Sequence, residues 1–315
     1  MKKTVIKFKK LFFALHYRWV GLEVFFVILK VINDDLLLHL YSEEQHKKNI
    51  NKCFNKKWLR RENGKQYYDF KGIKMPYIED RRANSALKQI FDDVFLIPCY
   101  FDDKYDKNIV EKIDAFVPEG PYGYFDDNFD VSVKLGDIVI DAGAWYGDFS
   151  AYAASKGAIV YAFEPENQNF DILLQTKLLN SNTIIFPVHK GLSDSTKTTD
   201  IYINGNLSHS TQKSQQHFEK QQIILTTIDD FVKENNLKRI DFIKSDIEGD
   251  ERNMLRGAKQ TLKKFAPKLA LCTYHLPDDV EMMTKIILEA NPNYTIKYLR
   301  HKLFAAVISN NKNIK

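Results

Sequence analysis

The stretch Gly136-Asp137-Ile138-Val139-Ile140-Asp141-Ala142-Gly143-Ala144-Trp145-Tyr146-Gly147-Asp148-Phe149-Ser150 decides how this chain reads. Its apolar run, Ile138-Val139-Ile140, has the length and β-branched character of a buried strand. The run ends on an acid, Asp141, and a glycine turn leads straight into a helix expected from about Gly147 to Ser155. In an open α/β sheet, ligands bind beyond the carboxyl ends of the strands, which is where this turn lies. Gly143 is expected to let the backbone pass close to a ligand, and Gly147 to permit tight helix packing.

The next strand, Ile159 to Phe163, ends on a second acid in Glu164-Pro165. A carboxylate there can accept hydrogen bonds from both hydroxyls of a ribose, as the acid of dinucleotide sites does. The glycine loop is G-x-x-x-G, however, and not G-x-G-x-x-G. An acid at the first strand end would repel a pyrophosphate. It suits a positively charged ligand, such as one with an amino group and a sulfonium, and it argues against a nicotinamide oxidoreductase.

Strand and helix patterns continue to alternate. A helix is expected over Asn167 to Leu179, a third strand over Thr183 to Val188 and a fourth over Ile240 to Lys244. One helix then carries Met254, Leu255, Ala258, Leu262 and Phe265 on one side. Leu269 to Tyr274 is a fifth strand. The following helix opens with Asp278 and Glu281 at capping-box-like spacing and turns Val280, Met283, Ile286 and Ile287 inward. Tyr294 to Leu299 and Leu303 to Ile308 close the chain as an antiparallel hairpin. The alternation implies an α/β fold with a mainly parallel sheet covered on both faces. Residues 195–225 interrupt it. Asp200 to Ile203 and Gln222 to Leu225 read either as an inserted hairpin beside the site or as part of a plain surface loop holding Ser208, His209, Ser210 and Thr211.

Upstream, Pro118-Glu119-Gly120-Pro121-Tyr122-Gly123 is the best domain boundary. It separates a mostly helical extension, residues 1–120, from the α/β domain, residues 121–315. Residues 1–65 read as helical and basic. Tyr67, Tyr68, Phe70 and Gly72 suggest a small strand and turn, and 84–94 a helix. The apolar region 11–40 follows a lysine-rich start, but His16, Arg18, Glu23 and Lys30 interrupt it. It falls short of the ~20 apolar residues that span a bilayer. It reads as an amphipathic helix that packs on the body or a partner, or lies on a membrane surface through residues 1–40.

Composition bounds the function. Of 315 residues, 44% are hydrophobic and 28% charged, enough for an ordinary globular core. The net charge of +5 is mild, and much of the excess sits at the two ends. No dense basic face with interleaved aromatics appears, so no nucleic-acid partner is expected. Cys53, Cys99 and Cys272 are far apart and lack CxxC spacing, against a disulfide scaffold or structural zinc. A cytoplasmic setting, with or without peripheral membrane association, is the default.

Several motifs then occur in order: Asp141-Ala-Gly143-Ala-Trp145-Tyr146-Gly147, Phe163-Glu164-Pro165 with Asn169, Gly191-Leu192-Ser193-Asp194, Thr227-Ile228-Asp229 and Asp246-Ile247-Glu248-Gly249-Asp250-Glu251. Taken together, residues 130–310 resemble an FkbM-family methyltransferase. The resemblance implies a Rossmann-like class I methyltransferase fold: seven mostly parallel strands, an antiparallel last strand and helices on both faces. It also implies S-adenosylmethionine as cofactor. The reaction it implies is methylation of a hydroxyl on a sugar, glycan precursor or secondary metabolite, as in polysaccharide biosynthesis. Carried over by position, Asp141, Gly143, Trp145, Tyr146 and Gly147 hold the methionine portion. Glu164 holds the ribose, beside Pro165 and Asn169. Gly191, Leu192 and Ser193 approach the adenine, and Asp246 borders the cofactor. The family usually has Asn where this chain has Trp145. That departure keeps a second reading open, an inactive methyltransferase-like module retained for binding.

Asp246, Glu248 and Asp250 follow the fourth strand, and His275 follows the fifth, at the rim where a methyl acceptor belongs. Removing the hydroxyl proton calls for a carboxylate or a histidine. Asp246, Glu248 and His275 are therefore the catalytic candidates, His275 because its ordinary pKa is near neutral. The same three side chains could hold a divalent metal that binds the substrate alkoxide, although nothing in the spacing demands one. Lys244 reads as a strand residue near the site, His189 and Lys190 as solvated, and His209 as a loop histidine.

Overall fold

The structure is a computed structural model that describes residues 58–78, 121–126, 128–203, 209–210 and 219–308. Near the start, three short strands, β1 (Leu59–Glu62), β2 (Lys65–Phe70) and β3 (Ile73–Pro76), form an antiparallel sheet. Its two tight turns place Asn63, Gly64, Lys71 and Gly72 at positive φ. The helical reading of residues 1–65 is thus corrected over 59–62, where the turn residues pair the chain into strands. The expected helix at 84–94 and the apolar region 11–40 lie outside the described residues.

A small ribbon, β4 (Tyr124–Asp126) with β5 (Phe129–Val131), precedes the main sheet. The sheet then grows from β6 (Ile138–Ala142), α1 (Asp148–Ser155), β7 (Ile159–Phe163), α2 (Asn167–Leu179) and β8 (Ile184–Val188). An insertion follows: β9 (Gly191–Leu192), β10 (Lys197–Ile203), β11 (His209–Ser210) and β12 (Glu219–Thr226). Its strands make a separate four-stranded sheet in the order β11-β10-β12-β9, built on the antiparallel β10–β12 pair. Of the two readings of 195–225, the hairpin is the observed one.

After α3 (Ile228–Glu234) come β13 (Phe242–Ser245), α4 (Glu251–Arg256), α5 (Lys259–Phe265), β14 (Lys268–Cys272), α6 (Asp279–Ala290), β15 (Tyr294–Leu299) and β16 (Lys302–Val307). The seven-stranded sheet runs β15-β16-β14-β13-β6-β7-β8. Strand β16 pairs antiparallel with both of its neighbours, and the remaining pairs are parallel. The first strand, β6, therefore lies inside the sheet next to the central strand β13, with the chain reversing direction across the sheet between them. That crevice is the topological switch point where open α/β sheets bind ligands.

Alternate residues of each strand feed two cores. Val139, Val160, Ile185 and Phe242 pack with Phe149 of α1 and Leu173 of α2 on one face. Ile140, Phe163, Ile243 and Leu271 pack with Phe231, Met254, Leu262, Met283 and Ile287 on the other. The inner strands are buried on both sides, as a parallel sheet requires, while the edge strands β8 and β15 leave Ile184, Phe186 and Tyr298 exposed.

Two helical expectations need correction. The helix expected from Met254 to Phe265 is two helices, broken at Gly257-Ala258. A Cβ on Gly257 would lie 2.1 Å from the Ser193 carbonyl oxygen, so the break is where the chain after β9 presses against the helix pair. At α6, Asp278 makes no side-chain cap. Its carboxylate accepts instead from Arg252 Nη2 at 2.6 Å, while Asp279 Oδ2 accepts from the Leu276 amide at 2.8 Å.

Candidate functional site

Asp141 lies near the end of β6, fully buried. Its carboxylate pairs with Lys244 Nζ at 3.0 Å and accepts from Ser150 Oγ at 2.5 Å. The neighbouring strands β6 and β13 place Lys244 directly opposite Asp141. Lys244 Nζ also donates to the Gly143 carbonyl at 2.6 Å. Burial works against the ammonium, but Asp141, Asp246 and Asp148 outweigh it and raise its pKa. The sequence reading missed this. A lysine inside an apolar strand run, paired across from an acid, was the available signal, since a buried charge needs a partner. Asp141 thus meets Lys244 and Ser150 at the foot of the glycine turn.

The turn itself is left-handed at Gly143 (φ +72), Trp145 (φ +49) and Gly147 (φ +81). A Cβ on Gly143 would stand 1.9 Å from the Asp246 backbone oxygen, so the close approach there is to the β13 loop. A Cβ on Gly147 would stand 2.6 Å from Leu173 Cδ1, which matches the expected tight packing of helices. Trp145 donates its backbone N–H to Glu164 Oε2 at 2.8 Å, and its ring stacks on Tyr146 at 4.1 Å. Asn is the non-glycine residue that tolerates a left-handed backbone best, and Trp is not. The bond to Glu164 runs through the backbone, however, so Trp145 still makes it.

Glu164 is 5% exposed and also accepts from the Glu166 amide at 2.9 Å. Burial pushes its pKa up to about 7 against these two hydrogen bonds and that of Asn169. A carboxylate offers about four acceptor positions, so room for further donors remains. Glu166 caps α2, accepting from the amides of Gln168 and Asn169, and this sets the Pro165–Asn169 turn. The Asn169 Oδ1 atom is buried without a partner. Gly191, Leu192 and Ser193 are buried where β9 runs beside β12, with the Ser193 amide donating to the Thr226 carbonyl at 3.0 Å. Exposed His189 stacks on Phe170 at 4.2 Å.

The acceptor-side candidates do converge. His275 Nε2 lies 3.5 Å from Glu248 Oε2 and 3.7 Å from Asp246 Oδ1, and Nδ1 lies 3.2 Å from Glu251 Oε1. Asp246 accepts from Tyr122 at 2.7 Å and from Tyr274 at 3.0 Å. Tyr122 is buried between Lys302 Nζ, 4.5 Å from its ring centre, and Lys244 Nζ, at 5.1 Å. Asp250 turns away from this cluster and accepts from Asn253 Nδ2. Burial raises the Asp246 carboxyl, but Lys244 and the Tyr122 hydroxyl outweigh it and leave it lowered. Burial and then the Asp246 charge raise Glu248 to about 7.

Burial lowers His275, yet Glu251, Asp246 and Glu248 more than reverse this and carry it to about 9. The three carboxylates thus favour the charged imidazole. The metal option also shifts. Among the described residues, the donor atoms that gather within 4.8 Å of one another belong to Asp246, Glu251 and His275, and Glu248 is not one of that group. Both Glu251 oxygens already accept backbone amides.

Residues 141–306 match the family described as the methyltransferase FkbM domain, over half of the chain. The chain belongs to that family. It is 28% identical over 161 residues to a hexuronic acid methyltransferase, AglP, of Haloferax volcanii, a match covering 49% of this chain. That match spans 62% of the relative's length. Among solved structures, it is similar to an FkbM methyltransferase from Methylobacillus flagellatus (23% identity, TM-score 0.47, 69% of this chain and 62% of that one). It is also similar to Aeropyrum pernix fibrillarin with bound S-adenosyl-L-methionine (12% identity, TM-score 0.36, 79% and 81%). Among the described residues, this FkbM-family chain has no helix long and apolar enough to cross a membrane.

Proposed function

We propose that this protein is an S-adenosylmethionine-dependent O-methyltransferase acting on a sugar or glycan-precursor hydroxyl. The observation that carries the reading is contact between the two halves of the site. The glycine turn and the β13 loop meet backbone to backbone at Gly143 and Asp246, so a ligand on the turn lies beside the Asp246–Glu248–His275 cluster. The donor set fits the cofactor: a buried carboxylate at Glu164 with spare acceptor positions, a partnerless Asn169 Oδ1 and a glycine turn at the switch point. Glu164 would hold the ribose, with Pro165 and Asn169 beside it. The turn from Gly143 to Gly147 would hold the methionine end, and Gly191–Ser193 would border the adenine. Bound S-adenosylmethionine supplies an electrophilic methyl group on a sulfonium.

Glu248 then takes the acceptor hydroxyl proton on Oε2. It is the least buried carboxylate of the cluster, with 37% of its side chain exposed, and it has a pKa near neutrality. His275, as the imidazolium, offsets the negative charge of its three carboxylate neighbours. Asp246, held by two tyrosine hydroxyls, orients the rim. The hexuronic acid relative supports testing uronic-acid acceptors first.

The test is titration calorimetry with S-adenosylmethionine and, separately, NAD, followed by methyl transfer to nucleotide- or lipid-linked sugars. Binding of the sulfonium cofactor alone, weakened at least about tenfold in Glu164→Ala, is expected. The transfer rate should rise with pH through about 7 and decline above about 9 as the cluster titrates, and Glu248→Gln should remove the acid limb. Failure to bind S-adenosylmethionine would overturn the reading in favour of a binding module without activity.

A further inference from the structure

Glu251 opens α4 and is fully buried. It lies outside the three residues, Asp246, Glu248 and His275, given roles in the proposed reaction. Its Oε1 accepts from the Ile247 amide at 2.8 Å, and its Oε2 accepts from the Gly249 amide at 3.0 Å. These two bonds bracket Glu248, which is left-handed at φ +56 and is followed by Gly249 at φ +103. A non-glycine residue keeps such a backbone only where its surroundings fix it. The same Oε1 lies 3.2 Å from His275 Nδ1, while Nε2 on the far side of the ring faces Glu248 and Asp246. A Cβ on Gly249 would sit 3.6 Å from His275 Cβ, so the bracketed loop packs directly on the histidine.

We infer that Glu251 is a positioning residue that fixes Glu248, the proton acceptor, and His275, its cationic neighbour, at once. One oxygen pattern holds the 247–249 loop in the left-handed form that aims Glu248. The same carboxylate pairs with His275 at Nδ1, which keeps its proton, and so points Nε2 into the site. This rests on the function proposed above for the pair, but the contact pattern is measurable without cofactor or acceptor. A carboxylate reaching two amides and an imidazole has no isosteric replacement: Gln keeps the length but offers a single acceptor oxygen and turns an N–H₂ group on the remaining donor.

The test is solution NMR of the ¹⁵N-labelled full chain, reading the His275 Nδ1–H signal and the Gly249 amide. In the wild type, the Nδ1–H of His275 should exchange with solvent at least about tenfold more slowly than that of exposed His301. In Glu251→Gln, both protections should be lost together while S-adenosylmethionine affinity stays within about threefold. Loss of Gly249 protection with the His275 signal unchanged would mean that Glu251 is only a loop brace, and would overturn the inference. So would a wild-type His275 Nδ1–H that exchanges as fast as that of His301, a result that stands even if the variant does not fold.

Discussion

Asp148 opens α1 beside the glycine turn, 3% exposed, with Oδ1 accepting from the Phe149 amide and Oδ2 buried without a partner. Burial raises its pKa to about 7; Lys244 opposes the rise and Asp141 adds to it. An acid whose folded pKa lies above its unfolded value binds more protons folded than unfolded throughout that interval. Its contribution to stability therefore falls as pH rises from about 4 to about 7. His275, raised from 6.5 to about 9, contributes stability that is fully present below 6.5 and is lost as pH rises through 9. The two act in the same direction. Asp148→Asn should match the wild type near pH 4 and exceed it at pH 8, by on the order of a few kcal/mol. Denaturant unfolding at the two pH values measures it, and equal curves at pH 8 would contradict it. Trp145 gives a second expectation at this scale. Because its bond to Glu164 is made by the backbone, Trp145→Asn should bind S-adenosylmethionine within about threefold of the wild type. A large loss in calorimetry would show that the indole itself is needed. The acids at strand ends were legible as a site because strand, acid and glycine follow one another in the chain. That Asp141 faces Lys244 was not, since the pair is brought together by strand register, which no local pattern encodes.

Glycines show where elements press on one another. Gly136 and Gly143 are both left-handed, at φ +81 and φ +72, but their surroundings differ. A Cβ on Gly136 would meet only the Arg239 guanidinium at 4.0 Å, whereas one on Gly143 would overlap the Asp246 carbonyl at 1.9 Å. Gly136→Ala should therefore cost only the backbone term, about 1 kcal/mol. Gly143→Ala has to push β6 and β13 apart at their ends. It should cost several times more and abolish S-adenosylmethionine binding. Paired unfolding curves decide this, and equal losses would mean that the turn is softer than its packing implies. Element by element, the inner strands were read well because each is a short apolar run buried on both faces. The helix pair α4–α5 was read as one helix because Met254, Leu255, Ala258, Leu262 and Phe265 keep a helical period across the break. What ends α4 is the approach of Ser193 to Gly257, a contact between segments far apart in sequence.

At the scale of the molecule, the β1–β3 sheet is part of the core of the methyltransferase fold. Trp58, Tyr68, Phe70, Ile73 and Met75 belong to the same buried cluster as Tyr146, Phe149 and Leu173, behind the glycine turn. Tyr67, Tyr68, Phe70 and Gly72 indicated a small strand and turn, but not the strand before it or what the segment packs against. The hinge of the docking is Asn180, which ends α2. Its Oδ1 accepts from the Lys74 amide at 2.9 Å, and its Nδ2 donates to the Lys74 carbonyl at 2.7 Å and to the Thr176 carbonyl at 2.7 Å. One buried amide thus continues the β3 edge as a neighbouring strand would. Thr176, one turn earlier, donates to the Tyr146 carbonyl at 2.6 Å, so the docked sheet, α2 and the glycine turn form one connected stack. Asn180→Ala leaves both Lys74 backbone groups, which are partly buried, without their partner, and this should cost about 1–3 kcal/mol. If the stack is continuous, the loss reaches the site: exchange of the Lys74 amide should quicken, and S-adenosylmethionine affinity should weaken although Asn180 touches none of the proposed cofactor residues. Faster exchange with unchanged affinity would instead make the β1–β3 sheet an independent outwork of the fold.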